Sequence, residues 1–272
     1  MVSERAEECM EYSISYSCIS HTGKVRSINQ DNFICDGHYM EVNEVNTDFP
    51  LCGIRSSKET LLIGIFDGLG GEEHGEIASY IAAKNAAAIE IGKDIISDLL
   101  QFCQKANADI CDNTTESEVS AMGTTAAILA FTGNGVTLCN IGDSRIFRFC
   151  DGVLEQISKD HVTVSAFGVK PPLSQNLGIP PNELIIEPYL AQGAYNDGDI
   201  YLICSDGLTD MVTNEEITEV LGSKTIGEAI TELLEKALSK GGRDNITIVL
   251  CKIKRESSWF SKKKRRNLKK EV

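Results

Sequence analysis

The chain has 272 residues, 42% apolar and 24% charged, with six prolines and a formal net charge of −14. That composition belongs to an ordinary globular protein of one large domain or two small ones, and no apolar run is long enough to span a bilayer. The acid excess disfavours nucleic acid as a partner.

The N-terminus, MVSERAEECMEY, carries no apolar core and does not read as a secretory signal. Ten cysteines stand singly with no C-x-x-C, and the four histidines are isolated. Zinc and a disulfide framework are both disfavoured, and the thiols read as small buried hydrophobes in a reducing, cytoplasmic setting.

In chain order, residues 1–12 are polar and expected to fray. Ser13 to Ser20 alternates as a strand, a turn holds Arg26 and Asn29, and Asp31 leads into a short strand from Phe33 to Cys35. Asp36 to Thr60 lacks periodicity and reads as a looped excursion. Leu61 to Gly71, LLIGIFDGLGG, follows. It reads as a buried strand that delivers Asp67 into a glycine turn. Glu72 to Ile91 and Asp94 to Asp112 are predicted helices, the first with closely spaced alanines and the second with Leu99, Phe102, Ala106 and Ile110 on one face.

Strands are predicted at Thr124 to Phe131, Val136 to Ile141, Arg145 to Phe149 and Leu154 to Ile157. Hairpin turns at Gly133-Asn134-Gly135 and Asp151-Gly152 join them. Ser158 to Tyr189 reads as irregular surface loop. Ile200 to Cys204 repeats the strand-then-aspartate pattern with Asp206. Helices at Asn214 to Leu221 and Thr225 to Lys240 precede Gly241-Gly242, Asp244 and a last strand, Ile246 to Ile253. Antiparallel meanders with helices in pairs indicate an α+β fold rather than a doubly wound parallel sheet.

Four aspartates therefore sit at strand ends: Asp67, Asp143, Asp206 and Asp244. Any one of them is explained by turn capping. Four together, converging at one edge of a shared core, cannot all ionise without cations between them. Oxygen-only donors select hard cations, Mg²⁺ or Mn²⁺, and suit two-metal chemistry on phosphate esters. Arg26 would then recognise phosphate oxygens.

The ordered motifs GKVRSINQD (23–31), LLIGIFDGLGG (61–71), AMGTTAAIL (121–129), NIGDSRIFR (140–148), SKDH (158–161), ICSDGLTD (203–210) and GGRDNITIVL (241–250) run through most of the chain. Together they resemble the PPM, or type 2C, metal-dependent Ser/Thr protein phosphatases of bacteria. The resemblance implies a four-layer α-β-β-α sandwich over residues 1–253, with a short flap at about 162–182. It implies that Asp67 bridges two Mn²⁺ or Mg²⁺ ions, that the Gly68 carbonyl binds the second, and that Asp206 and Asp244 complete the first. Asp31 would hold a metal-bound water, Arg26 would grip the phosphate, and Asp143 with Asp206 would form a weaker third metal site. A water bridging the metals, with its pKa lowered from about 15.7 towards about 7, would attack phosphorus in line without a phosphoenzyme.

The chain departs from the pattern at Gln30, where many members have Glu, at Leu69, where animal and plant members have His, and in the shortness of the flap. Substrates would be Ser/Thr-phosphorylated proteins, with a cognate Ser/Thr kinase as the opposing enzyme and a monomeric phosphatase. A regulatory phosphatase acting on anti-sigma or sporulation factors is a related branch. The alternative from another class is a phosphoprotein-binding module without turnover, which predicts missing metal carboxylates.

From Lys254 onward nine Lys/Arg and two Glu give +7, so the body before it carries −21. The stretch SSWFSKKKRRNLKK (257–270) reads as a solvated, disordered charge run. The sharper reading is peripheral contact with an anionic membrane through Trp259, Phe260 and the lysines.

Overall fold

The computed structural model describes residues 11–42, 44–69, 74–116, 121–133, 135–164 and 171–256. Strands β1 (Tyr12–His21), β2 (Asp31–Cys35), β3 (Leu51–Ser56) and β4 (Leu61–Asp67) lead to helices α1 (Gly75–Ala87) and α2 (Ile95–Glu116). Strands β5 (Ala126–Thr132), β6 (Gly135–Ile141), β7 (Arg145–Cys150), β8 (Val153–Gln156), β9 (Tyr189–Gly193) and β10 (Ile200–Cys204) follow. Helices α3 (Asp206–Thr209), α4 (Asn214–Ser223) and α5 (Ile226–Ser239) precede β11 (Ile246–Arg255). The order β3-β1-β11-β10-β7-β8 makes one sheet and β2-β4-β5-β6-β9 the other. All their pairings are antiparallel.

The period of two along a strand builds the layers. In β11, Val249, Cys251 and Ile253 face inward onto Ile63 and Ile65 of the other sheet. Ile246, Ile248 and Leu250 face outward onto Leu233 and Leu234 of α5. On the far side, Ile34, Phe66 and Ile128 pack under Ala82 and Ala83 of α1 and Leu99 of α2. The result is the expected α-β-β-α sandwich. The alanines matter because they let α1 lie close over the sheet. Thr213 and Thr225 each close a capping box at the start of α4 and α5, satisfying backbone donors that the helices leave unpaired.

Three expectations need correction. The stretch 36–60 is not only an excursion, because β3 lies within it and pairs with β1 along Cys18↔Leu51 to Ser13↔Ser56. An edge strand shows a mixed burial pattern, so its sequence carries no clean alternation. β9, at the edge of the second sheet beside β6, begins at Tyr189, the last residue of the stretch read as loop, and continues through residues to which no element was assigned. The single-turn helix α3, which the sequence reading does not assign, begins at Asp206 itself. The predicted start of α1 at 72–73, residue 134 of the hairpin turn, residues 165–170 of the expected flap, residues 1–10 of the start expected to fray, and the tail from 257 lie outside the described residues.

Candidate phosphate and metal site

The topology gathers one end of several strands. Asp31 opens β2 and is paired across the ladder with Asp67, which closes β4. Asp143 follows the end of β6, Asp206 follows the end of β10, and Asp244 precedes β11. The β10–β11 pairing Cys204↔Ile248 brings the last two to the same edge. Arg26, Asp67, Gly68, Leu69, Asp143, Asp206 and Asp244 all line one cavity of about 320 Å³, together with Pro171, Pro172 and Leu173. A second cavity of about 190 Å³ shares Asp143, Pro171 and Asp206 and adds Arg145, Asp160 and Val162.

Each loop is held by its own bonds. The Asp67 amide donates to Thr125 Oγ1 at 3.0 Å, the Thr125 amide donates to the Asp67 carbonyl at 2.9 Å, and the Thr124 hydroxyl donates to the same carbonyl at 3.0 Å. A side chain at Gly68 would bring its Cβ to 2.3 Å from the Gly75 carbonyl and 2.5 Å from that of Gln30, so only glycine lets these three backbones meet. The Asp143 loop is pinned by His161, whose Nδ1 accepts from the Gly142 amide at 3.2 Å and whose amide donates to the Gly142 carbonyl at 2.9 Å. Burial lowers the His161 pKa, which suits it to accept that bond as neutral imidazole. Arg145 donates through Nε and Nη2 to Asp160 Oδ2 at 3.0 and 2.7 Å, tying β7 to the strand-to-flap connection.

The Arg26 loop is fastened by Asn245. Its Nδ2 donates to the Thr22 and Ile28 carbonyls, each at 2.9 Å, and its Oδ1 accepts from the Gln30 amide at 2.9 Å. Gly23 (φ +86°) makes the turn, and a Cβ there would lie 2.2 Å from the Asp244 carbonyl. Within this frame Arg26 Nη2 donates to Asp244 Oδ2 at 2.8 Å, with side chains 41% and 37% exposed. Gln30 Nε2 donates to Glu76 Oε2 at 3.2 Å, so the residue that departs from the family pattern faces the start of α1.

Asp31 lies deepest, 2% exposed. Burial raises its pKa to about 6, against the lowering effect of hydroxyls from Thr247 and Ser205, each donating to Oδ2 at 2.7 Å. The nearby Asp244 charge pushes in the same direction as burial.

The donor set fits a hard divalent cation. Its lining holds four aspartates, Gly68 and Arg26, with no cysteine, methionine or histidine among the described residues at its wall. Among the described residues no three acidic, histidine or cysteine side chains form a tight cluster. The aspartates ring the cavity instead, as mutually repelling carboxylates do, and Asp244 takes the Arg26 guanidinium as counter-charge. Arg26, Asp31 and the four cavity aspartates were all legible as candidates. Ser20, Ser205 and Thr247 were not, because only the pairing of β1, β10 and β11 brings their polar groups together beneath the site; Asn29 stands in the turn read with Arg26, Asn245 follows Asp244, and neither had a role assigned.

Residues 40–244 match the protein phosphatase 2C family, a span that includes Asp67, Asp143, Asp206 and Asp244 and leaves Arg26 and Asp31 before it. The serine/threonine protein phosphatase PstP of Mycobacterium tuberculosis is 34% identical over 206 residues, which is 71% of this chain and 40% of that protein. The serine/threonine phosphatase stp of Listeria monocytogenes is 30% identical over 209 residues, 70% of this chain and 83% of that one. The crystal structure of the PstP catalytic domain in complex with two manganese ions has a TM-score of 0.71 at 29% identity, covering 89% of this chain and 99% of that one. With its matched span, its two-sheet sandwich and its ordered motifs, this chain belongs to the protein phosphatase 2C family.

Proposed function

We propose that this protein hydrolyses phosphoserine and phosphothreonine in proteins with the help of divalent cations. The observation that carries this reading is the single cavity of about 320 Å³ whose wall holds Arg26, Asp67, Gly68, Asp143, Asp206 and Asp244. Asp67, the Gly68 carbonyl, Asp206 and Asp244 would hold two cations, Mn²⁺ or Mg²⁺, and Asp143 with Asp206 a weaker third. Bound there, such cations supply Lewis acidity toward water and toward the phosphoryl oxygens.

The chain's own residues do the remainder. Arg26 offers a planar donor fork that matches phosphate geometry. Its present partner, Asp244, is half exposed, so the guanidinium can exchange a carboxylate for a phosphate oxygen at little cost. Asp31 orients what is bound beside Asp67, fixed from behind by Ser205 and Thr247. Leu69, Pro171, Pro172 and Leu173 add apolar side chains to the cavity wall beside the carboxylates. Catalysis then rests on positioning and electrostatics rather than on a protein nucleophile.

The substrates in this reading are phosphoproteins, with a Ser/Thr kinase working in opposition, for a cytoplasmic monomer. A binding module without turnover is disfavoured, because it predicts lost carboxylates and all four stand at the cavity. The deciding assay is hydrolysis of p-nitrophenyl phosphate and of a phosphothreonine peptide with Mn²⁺, with and without chelator. We expect turnover of both that chelation abolishes. Stoichiometric phosphopeptide binding without released phosphate would favour the binding module instead.

A further inference from the structure

Behind the cavity lies a set of buried polar groups that the proposed chemistry does not itself require. Ser20, Ser205 and Thr247 are wholly buried, and Asn29 and Asp31 are 5% and 2% exposed. They come from both sheets and from four separate segments of the chain. Ser20 and Thr247 are register partners in β1 and β11, and Asp31 opens β2 in the opposite sheet.

Their hydrogen bonds close a ring. The Asp31 amide donates to Asn29 Oδ1 at 3.2 Å, and Asn29 Nδ2 donates to Ser20 Oγ at 2.9 Å. Ser20 Oγ and Thr247 Oγ1 lie 2.8 Å apart, and Thr247 Oγ1 donates to Asp31 Oδ2 at 2.7 Å. A branch enters from Ser205, whose Oγ accepts from the Thr247 amide at 3.0 Å and donates to the same Asp31 oxygen at 2.7 Å.

The direction of the ring follows from proton counting. A carboxylate only accepts, and each hydroxyl has one proton. Thr247 gives its proton to Asp31, so Ser20 must donate to Thr247, and Ser20 is left to accept from Asn29. Every donor therefore points the same way around the ring and ends on Asp31 Oδ2. Bonds arranged head to tail polarise one another, and in a buried site each fixes the next.

We propose that this one-way ring is a positioning device for the divalent cations: it locks the Asp31 carboxylate by one oxygen and leaves Oδ1 to serve the side facing Asp67. Thr247 and Ser20 are then positioning residues that set cation affinity although neither lines the cavity. The inference rests on the metal-dependent reading above. Groups that orient a metal site from behind typically change affinity by about 10- to 100-fold when removed.

The test is Mn²⁺ binding to the full-length protein by isothermal titration calorimetry, with thermal unfolding to follow the fold. Thr247→Val keeps the shape and deletes the hydroxyl, so it should weaken Mn²⁺ binding about tenfold. Thr247→Ser restores the hydroxyl and should bind within about twofold of the wild type. Ser20→Ala, one bond further from Asp31, should cost about threefold. Because Ser20 reaches Asp31 Oδ2 through Thr247, and otherwise touches the ring at Asn29, the losses in the double variant Ser20→Ala/Thr247→Val should be less than additive. Wild-type affinity in Thr247→Val or in Ser20→Ala, or additive losses in the double variant, would overturn the ring as a positioning device while leaving the phosphatase reading intact. If Thr247→Val does not fold, Ser20→Ala and Thr247→Ser decide the matter by the same criteria. A wild-type protein that binds no divalent cation would overturn both.

Discussion

The floor and the mouth of the cavity are built on opposite principles. At the floor, Asp31 is buried and receives two hydroxyl bonds of 2.7 Å on one oxygen, and Gly68 is enclosed by backbone on two sides. At the mouth, Arg26 and Asp244 share a single 2.8 Å bond with about two-fifths of each side chain in solvent. A buried polar group without its partners is costly, so the floor holds one arrangement. An exposed ion pair contributes about 0–1 kcal/mol, so the mouth can exchange partners. The division suits a phosphatase: the floor beneath the cation site is fixed, while at the mouth Asp244 can pass from Arg26 to a cation and leave the guanidinium to meet the substrate.

Perturbing the cavity wall should give the largest effect. Asp206→Asn keeps the size of the side chain and removes its charge, and Asp206 opens α3 at the cavity. Turnover of p-nitrophenyl phosphate should fall about 10³-fold, in the upper range for deleting one electrostatic stabiliser. The melting temperature should hold or rise, because one of several repelling carboxylates is gone. Near-wild-type turnover with Mn²⁺ present would remove Asp206 from the metal set. The next largest effect should come from the floor. Gly68→Ala must displace backbone, since its Cβ would stand 2.3 Å from the Gly75 carbonyl. A shift near 1 Å at the reacting centre is worth about 10²-fold in rate, and overpacking costs about 1–3 kcal/mol of stability, measurable by urea unfolding. An alanine variant with normal rate and stability would mean that the floor yields more easily than its packing indicates.

The same contrast explains what could be read from the chain alone. Asp67, Asp143, Asp206 and Asp244 announce themselves because each is a charge set against an apolar strand and a glycine or asparagine, a pattern visible within ten residues. The α+β class was legible from antiparallel meanders built on strongly apolar strands such as β4 and β10, and the sandwich from the family resemblance. Edge strands β3 and β9 were not, because only one neighbour and partial burial constrain their sequences. The floor was least legible. Ser20 and Thr247 are separated by 227 positions and look like ordinary polar strand residues. Their meaning lies in a ladder register, which local sequence does not encode.

Arg26→Ala should give the smallest change and the most selective one. Gly23 makes the turn and the Asn245 side-chain amide holds the loop by bonds that do not involve the guanidinium, so the fold should survive. Losing the Asp244 pair should move stability by no more than about 1 kcal/mol, given its exposure. What disappears is the charged fork at the mouth, which acts on a phosphate in the ground state as much as in the transition state. Interactions of that kind appear in KM rather than kcat. We expect KM for a phosphothreonine peptide to rise about tenfold, the order of one charge-assisted hydrogen bond of about 1.5 kcal/mol, with kcat changed less than threefold. An unchanged KM would show that Arg26 serves Asp244 rather than substrate, and would move the mouth into the same class as the floor. A large fall in kcat with constant KM would place the guanidinium on the transition state, and the exchange of partners inferred from its exposure would then be wrong.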